Sequence, residues 1–127
     1  MPRKKIKDPV ELLSQAIVEA LLDKKANEPV IMDFKKIGSS LWDSFIVCHG
    51  NSRPQVEALA DGVIMDVKKK TGLNPVHKEG QENAEWILID YADIIVHIFQ
   101  ESKRNFYNLE QLWADADIVK IDDKPKK

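Results

Sequence analysis

Cys48 and His49 stand side by side in the run Ser44-Phe45-Ile46-Val47-Cys48-His49, and a thiol next to an imidazole raises the question of an activated nucleophile. The run is rich in β-forming, apolar residues and reads as a buried central strand. Adjacent side chains in a strand point to opposite faces, so this pair cannot work together. Cys48 then reads as a small core residue. Three histidines, His49, His77 and His97, are spread along the chain without a His-x-x-x-His or Cys-x-x-Cys partner, so no metal centre is expected. His97 sits between Val96 and Ile98, where a packed or hydrogen-bonded imidazole is the ordinary reading.

Gly38-Ser39-Ser40 followed by Asp43 is the pattern that opens a nucleotidyltransferase site, in which a Gly-Ser turn precedes two metal-binding acids spaced Asp-x-Asp. The matching stretch here is Leu41-Trp42-Asp43-Ser44-Phe45, and the second acid is missing. Two-metal phosphoryl transfer needs several carboxylates to hold its cations. Asp115-Ala116-Asp117 has the right spacing but lies near the C-terminal end of the chain, outside the expected sheet. There is no GxxxxGK[ST] or GxGxxG loop. No catalytic, cofactor or metal residue is therefore expected, and the chain does not read as an enzyme.

A binding surface is better supported. From residue 79 to 101 the chain carries Glu79, Glu82, Glu85, Asp90, Asp93 and Glu101 with no lysine or arginine, which suits a basic partner. Trp86 begins a strand beside these acids and shares a face with Leu88 and Asp90, while Ile87, Ile89 and Tyr91 share the other. One face meets the core. The other combines an indole, an aliphatic side chain and an acid, as interface anchors do, unless a helix covers it. Arg104 and Tyr107 are neighbours on one face of the last helix and can reach back to the sheet or out to a partner.

The elements that position these residues follow from periodicity. Asp8, Pro9 and Glu11 form the cap, first turn and capping box of a helix whose apolar face is Val10, Leu13, Ile17, Ala20 and Leu21. Val30 to Phe34 alternates as a strand. After the Ser44–His49 strand, Gly50-Asn51-Ser52 leads into a helix with Val56, Leu59, Ala60, Val63, Ile64 and Val67 inside, which stops near Gly72. Val76 to Lys78 is a short strand. Trp86–Tyr91 and Ile94–Phe99 form a hairpin across Ala92-Asp93. A last helix runs from about Ser102 to Trp113, with Phe106, Leu109, Leu112 and Trp113 as its apolar side. The order αββαβββα, with a long helix between the second and third strands, predicts a right-handed crossover with those two strands parallel. The expected fold is a single α/β domain with a mixed five-stranded sheet flanked by helices.

In bulk, 127 residues with 43% hydrophobic and 31% charged make one ordinary globular domain. The net charge of −2 argues against a domain that coats nucleic-acid phosphates. One cysteine, no apolar run of membrane-spanning length and no signal-like start imply a cytoplasmic protein without a disulfide. Residues 1–7 read as a basic arm, 8–114 as the domain and 115–127 as a flexible polar tail.

Three stretches together, WDSFIVCHGNSRPQVEALAD (42–61), KEGQENAEWILIDYADIIVHIF (78–99) and RNFYNLEQLW (104–113), resemble the ribosomal silencing factor, or Iojap-like, family. The resemblance spans roughly residues 8 to 114. It rests on Asp43, Gly50, Ser52, Glu79-Gly80, Ala84-x-Trp86, Asp90, Asp93, His97 and the closing Tyr107-x-Leu109-Glu110-x-Leu112-Trp113. Ala92 replaces a glycine usual in the hairpin, and His49 stands where a threonine is common. The resemblance implies a nucleotidyltransferase-like sheet without catalytic acids. It also implies binding to ribosomal protein L-fourteen on the large ribosomal subunit, steric exclusion of the small subunit, and self-association as homodimers. Glu79, Trp86, Leu88, Asp90, Asp93, Arg104 and Tyr107 are then the expected partner contacts. A large-subunit assembly factor using the same site is the alternative; a nucleotidyltransferase-like enzyme is the more distant one.

Overall fold

A computed structural model describes residues 8–38 and 41–121. The basic arm at 1–7, and Ser39 and Ser40 of the Gly-Ser turn, lie outside the described residues. The chain runs α1 (Pro9–Asp23), β1 (Asn27–Asp33), β2 (Ser44–Gly50), α2 (Arg53–Thr71), β3 (His77–Glu79), β4 (Trp86–Asp90), β5 (Ile94–Gln100), α3 (Glu101–Tyr107), α4 (Leu109–Leu112) and β6 (Asp117–Lys120). The sheet order is β3-β4-β5-β2-β1-β6. Among the described residues only β2 and β5 pair in parallel; the other neighbours are antiparallel.

The helices form where the caps place them. Asp8 accepts from the Val10 N–H at 3.1 Å at the start of α1. Ser52 accepts from the Gln55 N–H at 3.2 Å at the start of α2. Gly72, at φ 79°, closes α2 with its N–H on the Lys68 carbonyl. Leu13, Ile17, Ala20 and Leu21 of α1 and Val56, Leu59, Val63 and Val67 of α2 are all buried, as their spacing requires. The two helices pack together on one face of the sheet, against Ile46 and Cys48 of β2, Ile87 and Ile89 of β4, and Val96 and Ile98 of β5.

The opposite face carries a second, more aromatic core. Phe34, Phe45, Val47, Phe99 and Leu109 are buried there, with Trp42, Trp86, Leu88 and Trp113 packed half-buried around them.

As expected, β3 runs parallel in direction to β2, although the two are not neighbours and β4 and β5 lie between them. β5 is buried along both faces and takes the central place, whereas β3 has three exposed residues and suits an edge. Two sequence expectations are corrected. First, the last helix is broken. Asn108 at φ 49° ends α3 and caps α4, so Phe106 and Leu112 turn outward, 77% and 70% exposed, while Leu109 alone of the expected apolar side is fully inside. Second, part of the expected tail is a sixth strand: residues 117–120 pair antiparallel with β1, and the Ile121 N–H reaches the Pro29 carbonyl at 2.9 Å, while 122–127 lie outside the described residues.

The β4–β5 turn places Ala92 at φ 75°, a backbone region that costs a residue with a Cβ about 1–2 kcal/mol. Ala92→Gly is expected to stabilise the protein by about 0.5–1 kcal/mol, the relief of that strain less the extra unfolded-state entropy of glycine. A urea midpoint that stays the same or falls would show that the turn does not carry this strain.

Candidate functional site

The loop from Gly80 to Glu85 delivers Trp86 to the start of β4, and its ties are local. Gly80 has φ 89°, and a Cβ built there would lie 1.9 Å from the Trp86 carbonyl oxygen, so only glycine permits this approach. The Ala84 N–H returns to the Gly80 carbonyl at 2.9 Å, with Ala84 itself buried at φ 55°. Gln100, at the end of β5, donates its side-chain amide to the Ala84 carbonyl at 3.0 Å and its backbone N–H to Glu85 at 2.9 Å. Arg53 holds the Glu82 carbonyl from the start of α2. Glu79-Gly80 and Ala84-x-Trp86 are thus the parts of one clamp.

The Trp86 ring is half-buried in an aromatic stack. It lies 4.9 Å from Phe99 with planes 28° apart, and 4.6 Å from Tyr107 of α3. Its indole N–H donates to His97 Nδ1 at 3.1 Å. Leu88 is also half-buried on this face and is paired in register with Glu79 of β3. Glu79 is exposed and meets His77 Nε2 at 2.7 Å. Tyr107 is 44% exposed, and Phe106 beside it, at 5.1 Å between rings, extends the aromatic surface outward. Sequence reasoning assigned Phe106 to the core because periodicity alone cannot see the break at Asn108.

Trp86, Leu88, Glu79 and Tyr107 therefore come together. The two aspartates do not join them. Asp90 lies four residues along β4 from Trp86, about 13 Å at strand rise, and its carboxylate caps the hairpin turn by accepting from the Ala92 N–H at 2.7 Å. Asp93 is exposed at the tip of the turn, and its carbonyl accepts from the N–H groups of Asp43 and Ser44 at 2.8 and 3.3 Å. That end of the sheet also holds a cavity of about 200 Å³ whose charged lining is Asp8, Glu11, Asp33 and Asp43 with one cation, Lys35, paired to Asp33.

Arg104 has a different position from the one expected of a contact residue. It is 6% exposed. Its guanidinium pairs with Glu110 at 3.0 Å, donates to His49 Nδ1 at 2.9 Å and reaches the Asn27 carbonyl at 3.3 Å. It ties α3 and α4 to β1 and β2 from inside. Burial first, and Arg104 second, lower the His49 pKa from its ordinary value, consistent with a neutral ring that accepts from the guanidinium. Cys48 faces the helices, and burial pushes its thiol up to about 12.

Burial holds His97 at about 4, well below the ordinary 6.5. A histidine with a depressed folded pKa stabilises the fold fully above its unfolded value, near 6.5, and loses that contribution as pH falls towards 4. The expected loss from this one residue is about 3 kcal/mol between pH 7 and 4. Urea denaturation at the two pH values checks this against His97→Phe, which should lose about that much less. Parallel losses in the two proteins would refute it.

The family described as "Ribosomal silencing factor during starvation" matches residues 7–127. The chain is 43% identical over 110 residues to the ribosomal silencing factor RsfS of Halalkalibacterium halodurans, covering 87% of this chain and 92% of that protein. It is 40% identical over 100 residues to the RsfS of Bacillus subtilis, covering 79% and 83%. It is 30% identical over 123 residues to the chloroplastic Iojap protein of Arabidopsis thaliana, covering 94% of this chain and 50% of that one. A crystal structure of a Chromobacterium violaceum protein superimposes with a TM-score of 0.76 at 36% identity, covering 85% of this chain and 88% of the other. One from Bacillus halodurans gives 0.72 at 40% identity, covering 88% and 98%. With the family model matching nearly the whole chain and the fold shared with these structures, the chain belongs to the ribosomal silencing factor family.

Proposed function

We propose that this protein represses translation by binding ribosomal protein L-fourteen on the large ribosomal subunit, where its bulk keeps the small subunit from joining. The relatives are named as silencing factors, which describes regulation and not turnover. The observation that carries the reading is Trp86, clamped in an aromatic stack but half-exposed, with Leu88, Tyr107 and Glu79 on the same face. A preorganised aromatic anchor with a charged rim is the arrangement from which interface hot spots are built. Phe106 joins this surface in the proposal, while Arg104 supports it from inside. Asp90 and Asp93 form a separate acidic rim at the far end of β4, suited to steering a basic partner.

Trp86→Ala should weaken binding to isolated large subunits by at least about 2 kcal/mol, roughly thirtyfold, and restore subunit joining. Asp93→Lys should bind less tightly and with a shallower salt dependence. Co-sedimentation with isolated large subunits, with and without small subunits, measures both. A folded Trp86→Ala that co-sediments and blocks joining like the parent would exclude this face. Sedimentation of the free protein tests the self-association that belongs to the same reading.

A further inference from the structure

Trp86 and His97 are not direct partners across the strands. In the β4–β5 register Trp86 stands opposite Phe99, and His97 stands opposite Leu88. The indole nevertheless leans diagonally across the ladder to place its N–H on His97 Nδ1 at 3.1 Å. An indole nitrogen only donates, so Nδ1 must offer its lone pair and the imidazole proton must sit on Nε2. His97 Nε2 has no hydrogen-bond partner among the described residues. The imidazole is 4% exposed and meets Phe45 edge-on, with ring centroids 4.5 Å apart and planes at 62°. A buried polar group left unpartnered on one side is costly, and the bond on its other side goes to the half-exposed residue of the aromatic face.

We infer that His97 is a positioning residue: it accepts from the Trp86 indole and so fixes the orientation in which that ring meets the ribosomal partner, without touching the partner itself. The inference rests on the binding face proposed above. Phe99 confines the ring plane by stacking and Tyr107 packs against it at 45°, but such contacts alone permit sliding and flipping within the plane. A directional bond at Nε1 removes that freedom. Binding then does not have to order a large side chain, a saving that reaches about tenfold in affinity for a single residue.

The test compares His97→Leu, which has no acceptor, with His97→Asn, whose side-chain oxygen can occupy the place of Nδ1. The Trp86 indole N–H signal is followed by proton–nitrogen NMR, assigned through its loss in Trp86→Phe. The same proteins are titrated against isolated large subunits. His97→Leu should expose the indole N–H to rapid solvent exchange and weaken binding by about three- to tenfold. His97→Asn should restore both the protection and the affinity. A protected indole in folded His97→Leu overturns the inference. So does unchanged subunit affinity in His97→Leu while Trp86→Ala binds poorly, because orientation is then irrelevant. Should His97→Leu fail to fold, Trp86→Phe removes the same bond from the other side, and its unchanged affinity overturns the inference equally. Parent-like binding by Trp86→Ala is a different result, since it removes the binding face itself.

Discussion

Gly80→Ala should cost about 2–5 kcal/mol of stability, measured as a lowered urea midpoint with an unchanged slope. Two effects add. An L-residue at φ 89° is strained by about 1–2 kcal/mol. The new methyl also meets the Trp86 carbonyl oxygen at 1.9 Å and the carbonyl carbon at 3.0 Å, both backbone atoms of β4 that no rotamer change can move aside. Overpacking of this kind costs a further 1–3 kcal/mol or so. Relief requires the 80–85 loop to pull away from β4, which would loosen the Ala84 and Glu85 bonds to Gln100. Large-subunit binding should therefore fall along with stability. A loss under about 1 kcal/mol would show that the loop can reseat cheaply, and that the Glu79-Gly80 pair is not a clamp.

Arg104→Ala is expected to lower stability by about 3–5 kcal/mol, the usual result of removing one member of a buried ion pair. The guanidinium is 6% exposed and serves Glu110, His49 and the Asn27 carbonyl together. Its loss strands the His49 acceptor and unties α3 and α4 from the sheet. Glu110 has a side chain 29% exposed and recovers some hydration, which should keep the effect nearer the lower figure. Glu110→Gln should cost much less. In the double variant the effects should be non-additive, because both remove the same pair. Arg104→Ala within about 1 kcal/mol of the parent would mean that the hub does not hold the helices down. Tyr107 lies on α3, so a folded Arg104→Ala should also bind the large subunit less well without Arg104 ever contacting it.

Periodicity and capping were enough to read α1, α2 and the β4–β5 hairpin, because each is specified by residues near one another in the chain. Asp8 and Ser52 mark helix starts, Gly72 marks a stop, and alternation along Trp86–Asp90 assigns Ile87 and Ile89 to one face and Trp86 and Leu88 to the other. The absence of a second acid after Asp43 was equally plain in the chain. Pattern alone could not order the sheet. The helix joining β2 to β3 told that they run parallel but not how far apart they lie, because strand order depends on which strands can be buried on both faces, a competition among all six. The break at Asn108 was also hidden. Phe106 and Leu112 fit a helical stripe, and only the pull of Leu109 and Arg104 towards the sheet turns them outward.

The sequence by itself determined α1, α2, the first five strands and the two-faced sheet, since these follow from local conformational preference and side-chain chemistry. Tertiary structure decided what each of the candidate binding residues does. Arg104 and Tyr107 are three apart on one helix, and their exposure could not be told apart from that spacing. Packing against His49, Asn27 and Glu110 makes one an internal strut, while tilted ring contacts with Trp86 and Phe99 leave the other at the surface. His97, read as a packed or hydrogen-bonded imidazole, is both, but only the folded chain names its donor, the Trp86 indole. The physical reason is the same in both cases: burial and hydrogen-bond partnership are properties of atoms brought together from distant parts of the chain, and no local pattern encodes them.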